Sequence, residues 1–116
     1  MTPDQIIEAA NRLFRAEQTG TQCGLLSLAY PGMTLDDAYA VQSALVARKR
    51  AEGLGVIGWK IGLTSRAMQQ ALNITTPDSG MLLEDMLFAN GAAIPAGRFI
   101  QPRVEAEIAF VMQSDL

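Results

Sequence analysis

The sequence contains no histidine and one cysteine, Cys23, among its 116 residues. Without histidine, no Ser-His-Asp triad, Cys-His pair or histidine-bearing zinc site can be assembled from this chain. A lone thiol forms no internal disulfide, which agrees with a reducing compartment. The expected location is cytoplasmic. Aromatic residues are scarce at 6%, and no apolar run has the length needed to cross a bilayer. The N-terminus lacks the basic region and apolar stretch of a secretory signal. Basic clusters are missing too. Apart from Arg48-Lys49-Arg50, lysine and arginine are dispersed, and the net charge is −3. This balance points to neither a nucleic-acid nor a membrane partner. Carboxylates, lysine, arginine, hydroxyls and hard metal ions remain available for chemistry.

What is present suits one small folded domain: 49% of residues are apolar and 18% are charged. Thr2-Pro3-Asp4-Gln5 predicts a helix start, with Thr2 as cap and Gln5 completing a capping box. Ile6, Ala10 and Leu13 form an apolar stripe, flanked by Ile7 and Phe14, and Gly20 marks the stop. Residues 22–32 read as a connector ending in the Tyr30-Pro31-Gly32 turn. Thr34, with Asp37 three residues on, predicts a second helix through Val41 and Leu45. Its basic end, Arg48-Lys49-Arg50, complements the helix dipole, and Gly53 and Gly55 release the chain.

Val56 to Leu63 predicts a strand. Lys60 shares a face with Gly58 and Gly62, so its amine lies beside two positions without side chains. That opening fits a ligand, or plain solvent at a sheet edge. Ser65 is expected to cap a short helix. Thr76-Pro77-Asp78-Ser79-Gly80 reads as a turn, where aspartate commonly bonds nearby backbone amides. Met81 to Phe88 has no decisive period. Arg103 to Met112 alternates, with Val104, Ala106, Ile108, Phe110 and Met112 on one face and Arg103, Glu105 and Glu107 on the other. On a strand the two glutamates start about 6.6 Å apart. They can converge on one Mg²⁺ or Mn²⁺ ion, or stand on an exposed sheet face.

The ordered set G-W-K-I-G-L-T-S, P-D-S-G and P-R-V-E-A-E-I-A-F, with D-A-Y-A-V-Q in the second helix, resembles the bacterial 2-oxo-alkenoate hydratase and 4-oxalocrotonate decarboxylase family. That family lies within the fumarylacetoacetate hydrolase superfamily. The resemblance implies an α+β fold, with a helical region at 1–55. Residues 56–116 then begin the catalytic β domain and its mixed sheet, cut short in this chain. It implies that Glu105 and Glu107 are ligands of Mg²⁺ (or Mn²⁺), and that Lys60 and Asp78 are acid–base or substrate-orienting groups. The implied reaction is hydration of 2-hydroxy-2,4-dienoates, 2-oxo-hept-4-ene-1,7-dioate foremost, in the homoprotocatechuate branch of aromatic catabolism. The implied assembly is a homo-oligomer. A sibling decarboxylase and an inactive fragment or non-catalytic subunit are the alternative readings. Trp59 before the lysine and Ser79 before the glycine depart from the usual family residues.

Overall fold

Two long helices form where the sequence places its caps. In the computed structural model, which describes residues 1–114, α1 spans Pro3–Thr19 and α3 spans Leu35–Ala51. Between them the connector contains one unforeseen turn of helix, α2, Leu26–Ala29. Thr2 Oγ1 accepts from the Gln5 N–H at 3.2 Å, and Gln5 Oε1 accepts from the Thr2 N–H at 2.9 Å. Thr34 and Asp37 repeat the exchange at 3.2 and 2.9 Å. Each box satisfies backbone donors that the helix itself leaves unpaired. Gly20 ends α1 with φ +63°, a left-handed conformation that glycine adopts without a Cβ clash.

Small residues let α1 and α3 approach closely. Ala9, Ala10 and Val41 form the buried centre, and Ile6, Leu13 and Leu45 pack around it. Lys49 is only 4% exposed and is held by Glu17 at 2.6 Å. Pairing is what makes such burial of an ammonium tolerable. The Arg48 guanidinium lies 3.8 Å from the centre of the Phe14 ring, a cation–π contact between the helices. α3 lacks a single apolar stripe because it has two neighbours. It packs on α1 and reaches the β-structure through Tyr39 and Gln42.

Strand β1, Val56–Gly62, pairs antiparallel with β2, Asp78–Leu83. The register sets Lys60 opposite Gly80, Ile61 opposite Ser79 and Gly62 opposite Asp78, with an irregularity between Val56 and Gly58. The ribbon closes at its far end, where the Glu84 N–H donates to the Gly55 carbonyl at 3.0 Å and the Gly55 N–H donates to Glu84 Oε2 at 3.1 Å. Helix α4, Arg66–Ala71, lies between the strands. Ser65 stands at its N-cap but makes no side-chain cap bond. Gln69 fastens this short helix instead, donating from its side-chain amide to the Leu63 carbonyl at 2.7 Å. Leu63 has φ +54°, uncommon for leucine, and turns the chain away directly after β1.

Two expectations change in the fold, and one open stretch is settled. Asp78 opens strand β2 rather than sitting in a turn, because its backbone finds Gly62 as a partner. Met81–Phe88 divides into the end of β2, with Leu83 fully buried, and a 3₁₀ turn at Glu84–Met86. Arg103–Met112 forms no strand. Val104 is 98% exposed, and Ile108 and Phe110 are both 86% exposed. Alternation makes a segment competent to pair, but a strand exists only where another backbone offers its hydrogen-bonding edge. Among the described residues, none does so here. The architecture is α+β, as expected, and among the described residues the sheet consists of two antiparallel strands. Residues 115 and 116 of the expected second region lie outside the described residues.

Candidate active site

The register of β1 and β2 sets Lys60 and Asp78 as diagonal neighbours on one face. Residues two apart along a strand share a face, and so do cross-strand partners. The glycine at 62 has a local reason. A Cβ built there would collide with the Asp78 carboxylate. The space beside Lys60 that looked open to a ligand is therefore partly taken by Asp78. Trp59 stands on the opposite, exposed face of β1 with Ile57 and Ile61.

Arg103–Met112 returns to the Lys60 face although it is unpaired. Lys60 Nζ lies 2.8 Å from Glu107 Oε1 and 3.8 Å from Glu105 Oε2. The hydrogen bond that Lys60 donates to Glu107 raises its pKa above the ordinary 10.5. Desolvation opposes this rise, and the charges of Glu107, Glu105 and Asp78 add to it. Lys60 is thus a stable cation at neutral pH, with 49% of its side chain exposed. The fold brings Lys60, Asp78, Glu105 and Glu107 into one cluster.

Three carboxylates against one ammonium leave an excess of two negative charges, a balance that favours a bound cation. Among the described residues, no three acidic or sulfur side chains are grouped to enclose a metal. Glu105 and Glu107 fit a more open arrangement. Both carboxylates already face one positive centre, the Lys60 nitrogen. Mg²⁺ uses one or two protein carboxylates and fills its remaining positions with water or substrate oxygens.

A cleft of about 1010 Å³ opens beside Lys60. Leu13, Leu45 and Phe99 give it apolar walls, and Arg98 and Arg103 add positive charge. Arg98 donates to Asp85 Oδ2 at 3.1 Å, and its guanidinium lies 5.0 Å from the centre of the Phe99 ring. Sequence reasoning missed both arginines as cleft residues. It also missed what Tyr39 and Gln42 touch. The Ser79 N–H donates to the Tyr39 hydroxyl at 3.2 Å, and Gln42 Nε2 donates to the Ser79 carbonyl at 3.0 Å. Their three-residue spacing on α3 was the available signal.

No family model matches the chain. Individual relatives do. Over 107 residues the chain is 51% identical to 2-oxo-hept-4-ene-1,7-dioate hydratase of Escherichia coli, covering 92% of this chain and 40% of that protein. It is 47% identical over 116 residues to 2-keto-4-pentenoate hydratase of Paraburkholderia xenovorans strain LB400, covering 100% of this chain and 43% of that protein. 4-Oxalocrotonate decarboxylase from Pseudomonas putida G7, complexed with calcium and acetate, matches with a TM-score of 0.70 at 34% identity. That match covers 73% of this chain and 33% of the decarboxylase. The chain belongs to this hydratase and decarboxylase family. It spans about two fifths of the length of the curated relatives it matches. The helices and antiparallel ribbon are the part of the family's α+β fold that this chain contains. Another structure of the same decarboxylase is complexed with magnesium and adipate. No helix among the described residues is long and apolar enough to cross a membrane.

Proposed function

We propose that this chain carries the acid–base pair and two metal ligands of an enzyme that hydrates 2-hydroxy-2,4-dienoates to 4-hydroxy-2-oxo acids. The observation behind this reading is the convergence of Lys60, Asp78, Glu105 and Glu107. Glu105 and Glu107 would hold Mg²⁺ or Mn²⁺, which when bound supplies Lewis-acid polarisation of a 2-oxo acid. Lys60, kept cationic by its carboxylate neighbours, orients the substrate carboxylate. Asp78 faces Lys60 from the adjacent strand and handles the proton movements. A proton reaches C5 as the 2-hydroxyl gives one up. Water then adds its oxygen at C4, and a proton goes to C3.

The relatives at 51% and 47% identity are hydratases, whereas the decarboxylase structure matches at 34%. That ordering favours water addition over loss of CO₂. Likeness to the seven-carbon dioate hydratase favours 2-oxo-hept-4-ene-1,7-dioate and the homoprotocatechuate branch. Arg98 and Arg103, lining the same cleft as Lys60, suit a second carboxylate. The proposal extends to a cytoplasmic homo-oligomer in which residues 56–116 begin the catalytic β domain.

The test offers the purified chain, with Mg²⁺, 2-hydroxypenta-2,4-dienoate and, separately, 4-oxalocrotonate, read by dienoate absorbance and released CO₂. Loss of dienoate without CO₂ is the expected result. CO₂ release from 4-oxalocrotonate would assign the chain to the decarboxylase branch, because only that six-carbon diacid carries a second carboxylate conjugated to the 2-oxo group. Mg²⁺ binding that weakens in Glu105→Ala and Glu107→Ala, with no turnover by the parent chain, would leave the non-catalytic reading.

A further inference from the structure

Within the motif D-A-Y-A-V-Q, Val41 joins the helix core and Asp37 closes the capping box, whereas Tyr39 and Gln42 belong to neither the core nor the acid–base cluster. Tyr39 and Gln42 lie on one face of α3, three residues apart. They act on the same residue of β2. The Tyr39 hydroxyl accepts from the Ser79 N–H, and Gln42 donates to the Ser79 carbonyl. Among the described residues, these are the two hydrogen bonds that join α3 to the ribbon. Both are part-buried, where an unpaired backbone group is costly.

Ser79 directly follows Asp78. Fixing its N–H fixes the peptide plane between the two residues, and fixing its carbonyl sets the next plane. On the other side of Asp78 the chain is exposed from Thr75 to Pro77 and gives little support. Gly62 leaves room for the Asp78 carboxylate but does not hold it.

We infer that Tyr39 and Gln42 are positioning residues, which clamp Ser79 and thereby hold the Asp78 carboxylate in a single orientation beside Lys60. This assignment rests on the proposed role of Asp78 and deepens it. It links α3, whose own stability comes from α1, to the geometry of the acid–base pair. A helix built for packing thereby sets the angle of a reacting group.

The test uses the full 116-residue chain with Tyr39→Phe and Gln42→Leu, each retaining most of the original side-chain bulk. Amide exchange at Ser79 should speed up about tenfold in Tyr39→Phe, which removes the acceptor of that N–H, whereas Gln42→Leu frees the Ser79 carbonyl and is read by the Asp78 couplings. Exchange in α1 should stay unchanged, which shows that the fold persists. The three-bond Hα–Hβ couplings of Asp78 should change from single-rotamer values to averaged ones. With 2-hydroxypenta-2,4-dienoate and Mg²⁺, kcat should fall while KM holds. Unchanged Ser79 exchange in Tyr39→Phe would overturn the clamp, and so would Asp78 couplings that stay at single-rotamer values in both variants. A loss confined to KM would overturn the positioning role. If the parent chain turns over no dienoate, the proposed function fails, and the Asp78 couplings still decide the positioning.

Discussion

The helical pair and the β-ribbon solve different problems. α1 and α3 bury Ala9, Ala10 and Val41 between them and tie Lys49 to Glu17 inside the interface. The ribbon and the returning Glu105–Glu107 segment keep their charged side chains largely in solvent, with exposures of 49%, 68% and 57% for Lys60, Glu105 and Glu107. One region is organised for cohesion and the other for access. Stability and chemistry should therefore respond to different substitutions, and each prediction below tests that separation.

The largest effect is expected at Lys60. Lys60→Met should lower dienoate turnover by about 10²–10⁴-fold, because the substrate carboxylate loses the cation proposed to orient it. Its unfolding free energy should stay within about 0.5 kcal/mol of the parent, because the side chain is exposed. Steady-state kinetics and urea unfolding of the same preparation check both halves. A large stability loss would merge the two regions. The raised pKa of Lys60 also has a pH consequence. Its ion pair supports the fold below pH 10.5 and is lost as pH rises through the elevated value.

Leu83→Ala comes next, because Leu83 is the fully buried large side chain of the ribbon. A loss of about 2–5 kcal/mol is expected in urea unfolding. A much smaller loss would mean that the ribbon contributes little to the cooperative unit. Glu17→Gln removes the charged partner of a buried lysine and should cost about 1.5–3 kcal/mol. Equal unfolding midpoints for this variant and the parent would show that Lys49 finds another partner.

The smallest effect concerns acid stability. The Met1 ammonium sits 2.7 Å from Asp37, and together with the Thr34 bonds it lowers the Asp37 pKa from 3.8 to about 2. This contribution is complete above pH 3.8 and is lost as pH falls towards 2. Asp37→Asn should flatten the stability profile in that window, as followed by circular dichroism. A profile as steep as the parent's would assign acid sensitivity to other carboxylates.

Much of the helical pair was legible in the sequence, and the site was legible only as separate pieces. Thr2 with Gln5 and Thr34 with Asp37 were readable because each capping box closes within three residues. Gly20 was readable because a helix stop depends on its own φ. Asp78 was misplaced because T-P-D-S-G carries genuine turn chemistry, and local propensity cannot report a strand partner sixteen positions away. Arg103–Met112 was misread in the opposite direction. Its alternation is clear, but pairing depends on a second backbone.

The sequence by itself determined where the two long helices begin, where β1 lies, and which residues bring the carboxylates and the ammonium that the fold groups together. Those properties reside in side-chain type and short spacing. Tertiary structure alone decided that Asp78 lies beside Lys60, that Gly62 makes room for its carboxylate, and that Tyr39 and Gln42 grip Ser79. It also decided that Glu105 and Glu107 meet the lysine without forming a paired strand. These features join residues from sixteen to almost fifty positions apart: the docking of β2 between β1 and α3 sets Asp78 and Ser79, and the return of the Glu105–Glu107 segment brings its carboxylates to Lys60.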